Sequence, residues 1–88
     1  MAYRLQISQT AQDDLKKLDK SVLQAVRNRL TKLAENAERV RHLTLKGDFA
    51  GLYKLRVHGK YRIIYDLQRD KGVIVIVRVG NRDDIYKE

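Results

Sequence analysis

The sequence contains no cysteine, which excludes disulfides and thiolate metal sites. Its two histidines, His42 and His58, stand apart and do not compose a zinc site. Long hydrophobic runs are missing as well. The longest apolar stretch, Val73 to Val77, is far too short to span a bilayer, and the opening MAYRLQIS has Arg4 inside it and no apolar run of signal-peptide length. The expectation is a cytoplasmic protein with no membrane contact. Repeats, linkers and low-complexity segments are also absent. Acidic residues are the minority, 11 Asp and Glu against 19 Lys and Arg, for a formal net charge of +8. Such an excess favours a polyanionic partner, nucleic acid or an acidic protein. The excess is spread evenly: residues 1–43 carry nine basic and five acidic side chains, and residues 44–88 carry ten and six. Placement, not the total, must therefore carry any functional argument.

At 88 residues the chain suits one domain, 1–88, in which every element shares a single core. Hydrophobic residues at 43% and charged residues at 34% give the composition of a soluble globular protein. Tyr3, Leu5 and Ile7 alternate with Arg4 and Gln6, the period of a half-buried strand. Thr10 is placed to cap a helix of roughly ten residues, with Asp13 and Asp14 in its first turn and Ala11, Leu15 and Leu18 as its apolar stripe. Ser21 and Gln24 have the form of a capping box opening a second helix, whose buried stripe is Val22, Val26, Leu30, Leu33 and Ala37. So short a connection predicts an antiparallel helix hairpin. Residues 38–51 read as an irregular loop, and His42 lies there without a companion.

The stretch Leu52 to Asp66 organises the rest. Tyr53, Leu55 and Val57 fall on one side of a strand, and Lys54, Arg56 and His58 on the other. Tyr61, Ile63 and Tyr65 then alternate with Arg62 and Ile64. A two-residue hairpin loop would put Arg62 among the apolar side chains, and burying an unpaired guanidinium is costly. An odd loop, Gly59-Lys60-Tyr61, is therefore expected, with His58 facing Arg62 and Lys54, Arg56, His58 and Arg62 on one exposed surface. Tyr53, Tyr61 and Tyr65 belong to the apolar face. Arg69 to Gly72 reads as a turn, and Val73 to Val79 as a central strand covered on both faces. Gly80 ends it, and Asn81 is placed to cap a short last turn containing Asp83 and Asp84. Arg78 is expected to pair with Asp66 or Asp84, or to meet RNA. The order is β-α-α-β-β-β, an α+β fold with a two-helix hairpin packed on one face of a small mostly antiparallel sheet.

Tyr53-Lys54-Leu55-Arg56-Val57, Gly59 through Tyr61-Arg62-Ile63-Ile64-Tyr65, and Val77-Arg78-Val79-Gly80-Asn81-Arg82 with Tyr86 together resemble the RelE family of type II toxin–antitoxin toxins. The opening Met1-Ala2-Tyr3 strand and Leu15-Lys16-Lys17-Leu18 are similar too, so the resemblance spans nearly the whole chain. It implies an endonuclease that enters the ribosomal A site and cuts the bound mRNA codon without a metal or other cofactor, until a cognate antitoxin wraps it. Operator DNA would be contacted only through the antitoxin. On that resemblance the catalytic positions fall on Lys54, Arg56, Arg62, Arg82 and Tyr86.

The chemistry suits those residue types. When a 2′-hydroxyl attacks the adjacent phosphate, a proton must be accepted, a crowded phosphorane neutralised and the leaving 5′-oxygen protonated. Arg62, fixed on a strand, is the expected bidentate phosphate ligand, with Lys54 and Arg56 completing the cradle. Among these cations only Lys54 can exchange a proton, since a guanidinium stays charged. Arg82 would approach from the tail on the leaving side, and Tyr86 would stack on a base or orient the 2′-hydroxyl. Asn81 departs from the histidine or lysine that many relatives place there and cannot be a general base, so either Lys54, Tyr86 or the ribosome's own environment supplies one, or the chemistry is slow. A ParE-like toxin that binds DNA gyrase without catalysis, and a RelE homologue that binds antitoxin and ribosome without turnover, are the alternatives.

Overall fold

The computed structural model describes residues 2–85. The first strand, β1 (Arg4–Ile7), leads into a helix hairpin, α1 (Gln9–Lys16) and α2 (Lys20–Glu35). A two-residue strand, β2 (Leu43–Thr44), and a single 3-10 turn at Gly47–Phe49 precede three longer strands, β3 (Tyr53–Val57), β4 (Tyr61–Gln68) and β5 (Val73–Asn81). A last short helix, α3, covers Arg82–Ile85. The sheet order is β1-β5-β4-β3-β2. Only β1 runs parallel to its neighbour, β5, and the other pairings are antiparallel. No helix among the described residues is long and apolar enough to cross a membrane.

Both helices begin elsewhere than the sequence suggests. Ser8, not Thr10, caps α1: its Oγ accepts from the Ala11 N–H at 3.1 Å and donates to the Val77 carbonyl at 2.9 Å. One hydroxyl thus serves the helix end and the sheet at once. The box expected at Ser21 is not formed, because α2 is capped two residues earlier, at Asp19. The loop expected over residues 38–51 contains β2, which pairs Leu43 with Lys54 and Thr44 with Tyr53.

Alternation in the sheet sorts the side chains as the sequence implies. Val57, Ile63, Tyr65, Ile74, Ile76 and Val79 bury against Ala11, Val26, Leu30 and Leu33 of the helices, with Tyr53 and Tyr61 packed on the same core. Each fully buried branched side chain contributes on the order of 1.5–3 kcal/mol. This apolar packing fixes which sheet face is left for other work.

His42 is not without company. Its Nδ1 lies 2.5 Å from the Tyr65 hydroxyl and its Nε2 2.6 Å from the Ala37 carbonyl. With Nε2 donating to the carbonyl, Nδ1 accepts the phenol proton, so the ring joins the end of α2 to the sheet centre. Tyr53 and Tyr65 stack with ring centroids 5.6 Å apart, and His42 sits 5.5 Å from Tyr53. Burial, reinforced by the neighbouring Tyr53, pushes the Tyr65 phenol from 10.0 up to about 12. A group whose folded pKa is raised stabilises fully below its unfolded value and loses that contribution as pH climbs through the folded one. Denaturant titrations should therefore show stability falling between pH 10 and 12, and Tyr65→Phe should flatten that fall at a fixed cost at neutral pH. An equally steep alkaline loss in Tyr65→Phe would refute the assignment.

Candidate functional site

The β3–β4 hairpin turns over three residues, His58, Gly59 and Lys60, because Val57 pairs with Tyr61 and Arg56 with Arg62. The loop is odd, as keeping Arg62 out of the apolar core requires, but it begins one residue earlier than expected. Both His58 (φ 51) and Gly59 (φ 71) adopt left-handed backbone. Glycine takes that geometry freely and histidine at modest cost. Arg56, not His58, is therefore the cross-strand partner of Arg62. Two like charges placed directly opposite on adjacent strands are destabilising.

Pairing continues from Arg62 to Gly80 and from Ile64 to Arg78. By register Lys54, Arg56 and Arg62 thus share the face away from α1 and α2, whereas Arg78, on the part of β5 beyond its pairing with β1, reaches Asp14 of α1. Three adjacent strands span roughly 10 Å, so Arg56, Arg62 and the end of β5 lie within reach of one short phosphodiester segment. Arg82 is exposed, and its backbone N–H donates to the Lys60 carbonyl at 2.8 Å, tying α3 to the hairpin tip. Asn81 caps α3 through its Oδ1, which accepts from the Asp83 N–H at 3.0 Å. Its side chain is used in holding the turn. Tyr86 lies outside the described residues.

Arg62 requires a correction. It was expected to present its guanidinium to solvent, yet it is only 6% exposed. Its Nη1 donates to the carbonyls of Gly59 at 2.8 Å and Tyr61 at 3.0 Å. The reason is that the face is not bare at this point. Ile85 of α3 is buried and would lie 3.5 Å from a Cβ placed on Gly80, the residue paired with Arg62, and Ile64 beside it is fully buried. Arg62 is therefore a fixed charge under cover, and the exposed cations are Arg56, Arg82 and the partly exposed Lys54.

Arg78 has a partner that the sequence does not suggest. Its Nε donates to Asp14 Oδ2 at 2.9 Å, a contact between residues 64 apart. Nothing local in the sequence marks Asp14 for this, apart from its lying one helical turn from Ala11 and Leu18 on the buried side of α1.

Lys54 and Arg56 line a groove of about 470 Å³ between α2 and the outer edge of β3. Arg29, Lys32 and Arg41 join them, and its described lining contains no carboxylate. Val40 and Leu43, both large and more than two-fifths exposed, supply apolar surface beside it.

A helix hairpin covering one side of a mostly antiparallel sheet, with cations gathered on the other side, defines a small α+β domain of the RelE-like kind. Residues 5–86 match the family described as ParE toxin of type II toxin-antitoxin system, parDE. Toxin RelG of Mycobacterium tuberculosis is 34% identical over 88 residues, covering 99% of each chain. The mRNA interferase toxin RelE of Escherichia coli is 28% identical over 91 residues, covering all of this chain and 94% of that one. The solved toxin–antitoxin complex RelBE2 of M. tuberculosis contains a similar chain, with a TM-score of 0.80 at 31% identity and 93% of each chain covered. A double arginine-to-alanine variant of E. coli RelE in the free state gives a TM-score of 0.78 at 25% identity, covering 99% of this chain and 90% of that one. The chain belongs to the ParE toxin family of type II toxin–antitoxin systems, within the RelE/ParE superfamily.

Proposed function

We propose that the chain is an endoribonuclease that cleaves mRNA codons in the ribosomal A site and so inhibits translation. The observation that supports this most is the cross-strand pair Arg56 and Arg62, with Lys54 beside it on the same face. Arg62 is covered and bound to two hairpin carbonyls, so a phosphate would lie over exposed Arg56 with the charge of Arg62 behind it. In the reaction, the 2′-oxygen bonds to phosphorus as the bond to the 5′-oxygen breaks, leaving a cyclic phosphate and a 5′-hydroxyl. Arg56 and Arg82 hold the phosphate oxygens, Arg62 adds a fixed positive charge from beneath, and Lys54 exchanges protons. Tyr86 is assigned to stacking on the RNA. The E. coli relative's name, mRNA interferase toxin, points the same way.

A cognate antitoxin is the second partner in this reading, as in the RelBE complexes. An acidic, amphipathic segment suits a groove with five cations and exposed Val40 and Leu43. The name of the matched family favours one other reading, a ParE-like toxin that binds DNA gyrase without catalysis. Expression without an antitoxin decides between them. Growth should stop, isolated ribosomes should carry mRNA cut within the codon, and gyrase supercoiling by purified enzyme should be unaffected. Inhibited supercoiling with intact mRNA would establish the gyrase reading instead.

A further inference from the structure

We propose that Asp14 is a positioning residue for the cationic surface, acting through a bulge in β5 to set the placement of Arg78 and Arg82. The inference rests on the endonuclease reading for its kinetic consequence, though its structural part stands alone.

The register of β4 against β5 shifts between Ile64 and Tyr65: Tyr65 pairs with Ile76 but Ile64 pairs with Arg78, so Val77 is the extra residue. An extra residue reverses the facing of everything after it. Had the register of Tyr65 and Ile76 continued, Arg78 would oppose Ile63, which is fully buried in the core. With the bulge, Gly80 turns to the face of Arg62, Arg78 leaves the core and meets Asp14 beside the sheet edge, and Val79 takes the core position. The bulge thus keeps an arginine out of the core and gives α3 its starting direction.

What holds the bulge is α1. The described pairing of β1 ends at Ile7 with Ile76, so beyond that point β5 has no strand on this side. The helix supplies the missing partners. The Ser8 N–H donates to the Ile76 carbonyl at 2.9 Å, and the Ser8 hydroxyl to the Val77 carbonyl. Asp14 Oδ2 accepts from the Val79 N–H at 2.9 Å as well as from Arg78 Nε. Asp14 is 9% exposed and, with Arg62, is one of two buried charged residues among those described. A buried carboxylate is tolerated only when paired and hydrogen-bonded, and here one oxygen does both. Immediately after this anchor the chain passes through Gly80 and Asn81 to Arg82. A shift of β5 by even a fraction of a residue would move Arg82 relative to Arg56. A misplacement of about 1 Å is enough to cost on the order of a hundredfold in rate.

The test compares wild type with Asp14→Ala, Asp14→Asn and, as a charge control on the same helix, exposed Asp13→Asn. Backbone amide shifts and hydrogen exchange are read at residues 79–82, and cleavage is read on mRNA-programmed ribosomes. Asp14→Ala should accelerate exchange at Val79, shift Gly80 to Arg82, and lower the saturated rate at least about tenfold with half-saturation within about threefold. Asp14→Asn keeps an acceptor for Val79 without the charge for Arg78, and should fall between. Asp13→Asn should match wild type. If Asp14→Ala does not fold, Asp14→Asn carries the same readouts. Unchanged amides at 79–82 in a folded variant overturn the proposal, as does a loss confined to half-saturation. Should wild type cleave nothing, the endonuclease reading fails, and the amide signals alone decide the role of Asp14.

Discussion

Arg82→Ala should lower cleavage of ribosome-bound mRNA by about 10²–10³-fold while leaving the fold intact. The side chain is exposed, and the bond that anchors this position is made by its backbone N–H to the Lys60 carbonyl, which alanine retains. A surface change of that kind normally shifts stability by less than about 0.5 kcal/mol. On the proposed reading, the rate loss follows from removing one donor to a charge that develops in the transition state. Arg82→Lys keeps a point charge but gives up the planar fork, and should recover only part of the rate. Single-turnover cleavage together with a denaturation curve measures both quantities. A stable Arg82→Ala protein that cleaves within about threefold of wild type would remove Arg82 from the reaction.

Arg62→Ala should behave differently, losing stability as well as rate. The guanidinium is under cover and donates to two carbonyls of the hairpin. Removing it deletes two charge-assisted hydrogen bonds and leaves space beneath α3. The expected cost is about 2 kcal/mol in denaturant unfolding. Loss of activity in this variant alone therefore says little about phosphate contact, and the contrast with Arg82→Ala is the informative measurement. An Arg62→Ala chain as stable as wild type would show that the hairpin contacts hold nothing.

The contrast between these two arginines also marks where the sequence is readable. Facing is a matter of counting by two, and an arginine cannot be put in the core cheaply, so the odd hairpin loop and the shared side of Lys54, Arg56 and Arg62 follow from the sequence. The pairing partner missed by two residues because His58 enters the left-handed region, which its identity does not advertise. Shifting by two preserved facing, and so the cationic surface survived the error. Accessibility was not readable. Whether Arg62 meets solvent depends on Ile85 folding back over Gly80, and that depends on an extra residue in β5 held by Ser8 and Asp14. Those contacts join residues 64 or more apart, and no periodicity reports them. The partners of His42 are hidden from the sequence for a similar reason. Its partners, Ala37 and Tyr65, come together only when the segment after α2 crosses the sheet edge.

The order of strands has a temporal consequence. β5 lies between β1 and β4, so the first strand made has its sheet partner only when residues 73–81 have been synthesised. Pairings so distant along the chain form late. During translation the nascent polypeptide has a helix hairpin and a β-hairpin but no completed sheet, and no seat for Arg82. A chain arranged in this way has no assembled cationic surface until its last strand has emerged.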